Sequence, residues 1–142
     1  MLTLAQIFFR LFLSAVLSGL IGFEREARHR PAGLRTNILV GLGSTLVMIT
    51  SIYLSSIDNG DAGRIASGVL TGIGFLGAGV IIRGREKDEE TIQGITTAAT
   101  IWVVAAIGLA VGLGFYAPAI FTTLLVLLVL LGLNSEKLKG KI

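Results

Sequence analysis

The sequence predicts an all-α integral membrane protein with five transmembrane helices, and three observations carry that prediction. The 142-residue chain is 53% hydrophobic with a mean hydropathy of +0.83, above what soluble domains usually carry. Its apolar residues fall into five runs with few or no charges, most of them near the ~20 residues a helix needs to cross hydrocarbon. Basic residues gather in alternate connections between those runs, which is how membrane proteins encode orientation.

The first run, residues 4–23, has no basic leader and no convincing small-residue cleavage site, so it reads as a retained helix. Ser14, Ser18 and Gly22 recur every four residues with Ala15 and Gly19 beside them, a face suited to close helix packing. Arg10 lies about two turns into this run. Either it snorkels to the nearer interface, or it pairs with a carboxylate on the same side, such as Asp61. The following segment, 22–36, mixes Glu24, Arg25, Glu26, Arg28, Arg30 and Arg35, and Pro31-Ala32-Gly33 ends any continuing helix. A second run covers 36–54, with Asn37 just inside its start, placed to hydrogen-bond at the interface. Asp58-Asn59-Gly60-Asp61 is a turn signal that also suits a helix cap.

The third run, residues 65–82, is uncharged and fenced by Arg64 and Arg83. It holds Gly68, Gly72, Gly74, Gly77 and Gly79, a density that would be costly in a helix in water. In lipid such residues let neighbouring helices approach closely, so this run is expected to be the central helix of the bundle. On that reading Gly72→Leu should disrupt the core. Gly72-Ile73-Gly74-Phe75-Leu76-Gly77 also matches the dinucleotide pattern GxGxxG, but no strand precedes it and no soluble βαβ unit surrounds it. Residues 83–90 read as a short, densely charged, solvated connector. The fourth run, 91–111, has a polar first half in Gln93, Thr96, Thr97 and Thr100, which suits an interior helix; Gly108 and Gly112 are expected only to loosen its end. A turn at 114–118 leads to the fifth run, 119–133, whose Leu and Val should face lipid; extended back to Phe115 it reaches spanning length.

The first connection carries four arginines, the third carries Arg83, Arg85 and Lys87, and the tail carries Lys137, Lys139 and Lys141. The second has Arg64 alone and the fourth none. The N-terminus is therefore expected outside and the C-terminus in the cytoplasm. The net charge of +3 belongs to this pattern and does not point to nucleic acid. There is no cysteine and one histidine, His29, so thiolate and histidine-clustered metal sites are excluded within one chain. No nucleophile–base pair stands out, and an enzyme is not expected.

Two polar groups are candidate sites. One joins Glu24, Arg25 and Glu26 to Arg35; the other joins Asp61 to Arg64. Ion pairs fixing helix register are the plain reading of both. The functional readings are a hydrated cation site, for which Glu26 and Asp61 are weak metal candidates, or a docking site for another membrane protein. A transport path would have to use groups such as Thr96 and Thr97, because no carboxylate lies deep in a span.

Four ordered blocks then carry a resemblance: Gly22-Phe23-Glu24-Arg25-Glu26; Ala32-Gly33-Leu34-Arg35-Thr36; Asp61-Ala62-Gly63-Arg64-Ile65-Ala66 with Gly72-Ile73-Gly74-Phe75-Leu76-Gly77-Ala78-Gly79; and Gly94-Ile95-Thr96-Thr97-Ala98-Ala99-Thr100-Ile101-Trp102. Together they resemble the transmembrane domain of the MgtC/SapB/YhiD family over about residues 4–133. The resemblance does not reach the C-terminal ACT-like domain with which some relatives continue. Ala62 stands where proline is common and Ile95 where leucine is usual. The resemblance implies a bacterial inner-membrane protein of magnesium homeostasis, tied to stress and survival in host cells. It implies action either as a Mg2+ transporter or through other membrane machines such as the F-type ATP synthase or P-type Mg2+ pumps. One transmembrane domain over 1–142 is expected, with no cofactor beyond Mg2+ itself. Surplus glycine suggests self-association, most simply as a homodimer.

Overall fold

A computed structural model describes residues 2–58, 61–86 and 89–132. Lys87, the tail lysines and part of the turn at 58–61 fall outside the described residues. Five helices form: α1 (Leu4–Ala27), α2 (Leu34–Asp58), α3 (Ala62–Val80), α4 (Ile95–Leu113) and α5 (Tyr116–Gly132). Between α3 and α4 lies an antiparallel hairpin, β1 (Ile82–Glu86) and β2 (Glu89–Gln93). At ~1.5 Å per residue α1 and α2 reach roughly 36 Å, and α3 and α4 roughly 28 Å, against a hydrocarbon core of ~30 Å. These four are long and apolar enough to cross a membrane; α5 is apolar but has 17 residues.

The burial pattern is that of a protein solvated by lipid. Phe8, Phe12 and Phe23 on α1, Phe75 on α3, and Phe121, Leu124 and Leu128 on α5 are exposed. Ser14, Ser18, Asn37, Thr45, Ser51 and Thr123 are almost completely buried. Water would oppose this arrangement, whereas lipid does not solvate polar groups and drives them onto partners inside the bundle.

Packing corrects three expectations. The central helix is α4, not α3. From α4 the residues Ile101, Val104, Ala105, Ile107 and Val111 enter the core, beside Leu17 and Ile21 of α1, Val40 of α2, and Ala119 and Leu130 of α5. From α3 only Ile73 is buried. The glycine stripe explains why: a Cβ added at Gly68, Gly72, Gly74 or Gly79 would meet nothing within 4 Å, and at Gly77 only Ala98 Cβ at 3.6 Å. The close approaches lie elsewhere. A Cβ at Gly41 would fall 2.7 Å from Ser18 Cβ, one at Gly108 2.6 Å from the Gly41 carbonyl oxygen, and one at Gly112 2.6 Å from Met48 Cβ. Gly108 and Gly112 are therefore packing positions, not a loose helix end.

The second correction concerns 82–93. The charged connector is a paired hairpin whose register places Arg85 opposite Glu90 and Arg83 opposite Ile92. Thr91, Ile92 and Gln93 belong to β2, and α4 starts at Ile95. The all-α expectation thus holds for the spans and not for this connection. Third, Arg10 pairs with neither solvent nor Asp61. It is buried, donating through Nη1 to the Gly112 carbonyl (2.6 Å) and through Nε to the Tyr116 hydroxyl (3.1 Å). The negative end of the α4 dipole takes the role assigned to a carboxylate, while Asp61 caps its own helix through Gly63 N–H. The double variant Arg10→Glu/Asp61→Arg should therefore not restore the folded yield lost in Arg10→Glu, measured by size-exclusion chromatography in detergent. Recovery to wild-type yield would show that these two residues do pair.

Candidate functional site

The helices place the candidate residues at two opposite ends. Gly22 of α1 lies against Leu34 and Asn37, while Ser14 and Ser18 lie against Gly41, so α1 and α2 run antiparallel. Gly41 and Ser44 meet Gly108, whereas Thr45 and Met48 meet Gly112, so α2 and α4 run parallel. Glu24, Arg25, Glu26, Arg35, Thr96 and Thr97 therefore share the end where α1 turns into α2. Asp61 and Arg64 sit at the other end, with Arg10, Gly112 and Tyr116 on that side.

At the first end Glu24 and Arg25 are both buried and ion-paired. The other oxygen of Glu24, Oε1, lies 2.7 Å from Arg28 Nε but off hydrogen-bond alignment, so Coulombic attraction holds that contact. Burying one carboxylate beside two guanidiniums offsets the desolvation that any of them would suffer alone. Glu26 does something different: Oε2 accepts the Leu34 N–H at 2.8 Å and so caps α2. Asn37 is fully buried, and its Nδ2 donates to the carbonyls of Ala32 (2.6 Å) and Gly33 (2.9 Å). Its role is to hold the turn before α2, deeper than the interfacial role expected of it. Arg35 and Thr96 are exposed, and Thr97 is buried.

At the opposite end Ser51 donates to the Ala62 carbonyl at 2.7 Å, fastening α3 to α2. A cavity of about 240 Å3 opens there, lined by Ser51, Leu54, Ser55, Ile57, Asp61, Arg64 and Ile65. A second cavity, about 300 Å3, lies sideways between α4 and α5; Thr96 and Thr100 reach it, but its wall is apolar Leu and Val. Glu26 and Asp61 are separated by the length of α2, roughly 37 Å at ~1.5 Å per residue, so one ion cannot bind both. Among the described residues no three His, Asp or Glu side chains cluster as a metal site would require.

Between the two ends the α1–α2–α4 seam is polar but closed. Thr45 Oγ1 donates to the Gly108 carbonyl at 2.8 Å, and Ser18 Oγ donates to the Ser14 carbonyl. Backbones at Gly41, Gly108 and Gly112 approach so closely that an added Cβ has no room. The buried guanidiniums of Arg10 and Arg25 stand towards either end of this seam. Sequence reading took Ser14 and Ser18 as a packing face and Gly108 and Gly112 as a loose helix end; Ser44 and Thr45 are polar members of the second run. That reading did not join them to Gly108 and Gly112, because the pairing is across helices and has no local signature.

A model of the MgtC family matches residues 11–137. The chain is 46% identical over 133 residues to the Escherichia coli K12 protein named "Putative magnesium transporter YhiD", covering 89% of this chain and 60% of that one. It is 44% identical over 116 residues to Protein MgtC of Brucella abortus strain 2308, covering 80% of this chain and 45% of the relative. To Protein MgtC of Salmonella typhimurium strain 14028s it is 43% identical over 117 residues, covering 82% and 48%. The chain thus spans about half the length of the curated relatives it matches. No solved structure matches it.

Proposed function

The chain belongs to the MgtC family, and on that premise we propose that it is a magnesium-homeostasis protein acting through helix contacts with a partner in the bacterial inner membrane. All five helices cross in this reading, with the N-terminus outside and the C-terminus in the cytoplasm. One observation carries it. The interior seam is filled, while α3, a membrane-length helix, buries a single residue and leaves Gly68, Gly72, Gly74 and Gly79 open. Lipid tails fill a small-residue face less well than a second helix whose backbone can come close. The partner is either a second copy of this chain or a larger membrane machine, of which an F-type ATP synthase and a P-type Mg2+ pump are the candidates that the resemblance suggests.

The rival reading is a Mg2+ permease, in keeping with the name of the Escherichia coli relative. Such a path needs a hydrated route past Thr97, and farther along α4 the approach to α2 is closed at Gly108 and Gly112.

Two measurements on one protein separate the readings. The chain has no cysteine, so single cysteines at Gly72 on α3 and Leu124 on α5 can be crosslinked in native membranes without background. The proposal expects a discrete adduct from Gly72→Cys and none from Leu124→Cys. Purified protein in liposomes should give no Mg2+ flux. Saturable flux that falls in Thr97→Val and Asp61→Asn would replace this reading with the permease.

A further inference from the structure

The turn between α1 and α2 is built in a way that helix connection alone does not require. His29 and Ala32 both adopt positive φ, 52° and 57°, a left-handed conformation that is costly for residues with a Cβ. Ordinary loops relax such strain; this one is held. The Arg28, His29 and Arg30 amides close onto the Glu24, Glu26 and Arg25 carbonyls. Asn37 grips the Ala32 and Gly33 carbonyls, and Glu26 fixes the Leu34 amide. The result is a rigid platform at one membrane-facing end of the bundle.

Its charges are unbalanced. Residues 24–35 hold four arginines and two glutamates. Both carboxylates already have partners: Glu24, buried, lies with Arg25 and Arg28, and Glu26, exposed, accepts the Leu34 amide as the α2 cap. Arg30 and Arg35 are exposed at this turn, and among the described residues no side-chain bond or ion pair holds either guanidinium. A guanidinium offers donors matched to phosphate oxygens, and basic groups beside a membrane span lie at the level of lipid headgroups.

We infer that Arg30 and Arg35 form a phosphate-binding site for an anionic phospholipid headgroup, displayed by the strained turn at 28–33. The site is independent of the partner surface on α3, so either can fail without the other. Its ligand class is phosphatidylglycerol-like: one phosphate, net negative charge, and acyl chains in the surrounding bilayer.

The test is thermal unfolding of the full chain in detergent, titrated with dioctanoyl phosphatidylglycerol. Dioctanoyl phosphatidylcholine and inorganic phosphate serve as separate arms. The anionic lipid should raise the unfolding midpoint saturably, with weaker responses to the other two. Arg30→Gln/Arg35→Gln should lose at least about tenfold in apparent affinity, and about 25-fold if the two act independently, given about fivefold per basic residue at a surface. Arg64→Gln, at the far end, should respond like wild type. If the double variant is not recovered folded, each single variant carries the test with about a fivefold loss. Equal responses to the two lipids, or an unchanged response in the variants, would overturn the site. A response to phosphate alone that matches the lipid would assign free phosphate and overturn the lipid.

Discussion

Gly108→Val should abolish the folded state of this protein or lower its stability by about 3 kcal/mol or more, while Gly72→Leu leaves it near wild type. Both replace a glycine within an apolar helix, and sequence alone would rank them the other way. At Gly108 the first added carbon already meets the Gly41 carbonyl oxygen at 2.6 Å and Ser44 Cβ at 2.8 Å. The obstructing atoms include backbone, so relief requires α2 and α4 to separate, which exceeds the ~1–3 kcal/mol of ordinary overpacking. At Gly72 nothing lies within 4 Å. The neighbouring Thr45 hydroxyl bond to Gly108 is a smaller matter: such bonds between membrane helices average about 0.6 kcal/mol, so Thr45→Val should cost about that. Thermal unfolding in one detergent would rank the three. If Gly72→Leu behaved like Gly108→Val in monomeric protein, the assignment of α4 as the central helix would be wrong.

Gly94→Ala is expected to be at least as damaging, for two reasons that act together. Gly94 sits at φ 93°, where side chains are rarely tolerated, and its Cβ would overlap the Val80 carbonyl, with the carbonyl carbon at 2.9 Å. Gly94 closes the hairpin neck where the end of α3 meets the start of α4. Gly114 provides the control. It has nearly the same φ, 96°, yet its closest neighbour would be Arg10 Nη2 at 3.1 Å, the far end of a flexible side chain. Asparagine tolerates left-handed backbone, so Gly114→Asn should cost about 1 kcal/mol and Gly94→Asn much more. The readout is the unfolding midpoint, together with protease cleavage in the hairpin. Equal effects at the two positions would mean that φ, not space, governs both.

Family membership and the membrane setting were both readable from the chain. Hydropathy is a local quantity: a run such as 119–133 is apolar whatever it packs against, and the edge position of α5 follows from its Leu and Val content. The turn at Pro31-Ala32-Gly33 was legible for the same reason. The short hairpin was hidden because charges dominate 83–90, while antiparallel pairing depends on backbone bonds between residues apart in sequence.

Other features depended on which helix meets which. Glycine records only that a side chain is absent, and the chain cannot say whether the vacant space belongs to a neighbour in the same molecule or lies open. Gly68 and Gly72 carry the strongest small-residue pattern and face outwards, whereas Gly41, Gly108 and Gly112 carry a weaker one and form the seam. The same holds for charge. Arg10 and Asp61 share a membrane side, which made pairing plausible, but side does not specify azimuth. Arg10 points to Gly112 and Tyr116, Glu26 turns to cap α2, and Glu24 folds onto Arg25 and Arg28. Local composition settles what each stretch is; contact across helices settles what residues such as Thr45 and Arg10 do, because their partners at Gly108 and Gly112 lie 63 and 102 positions away.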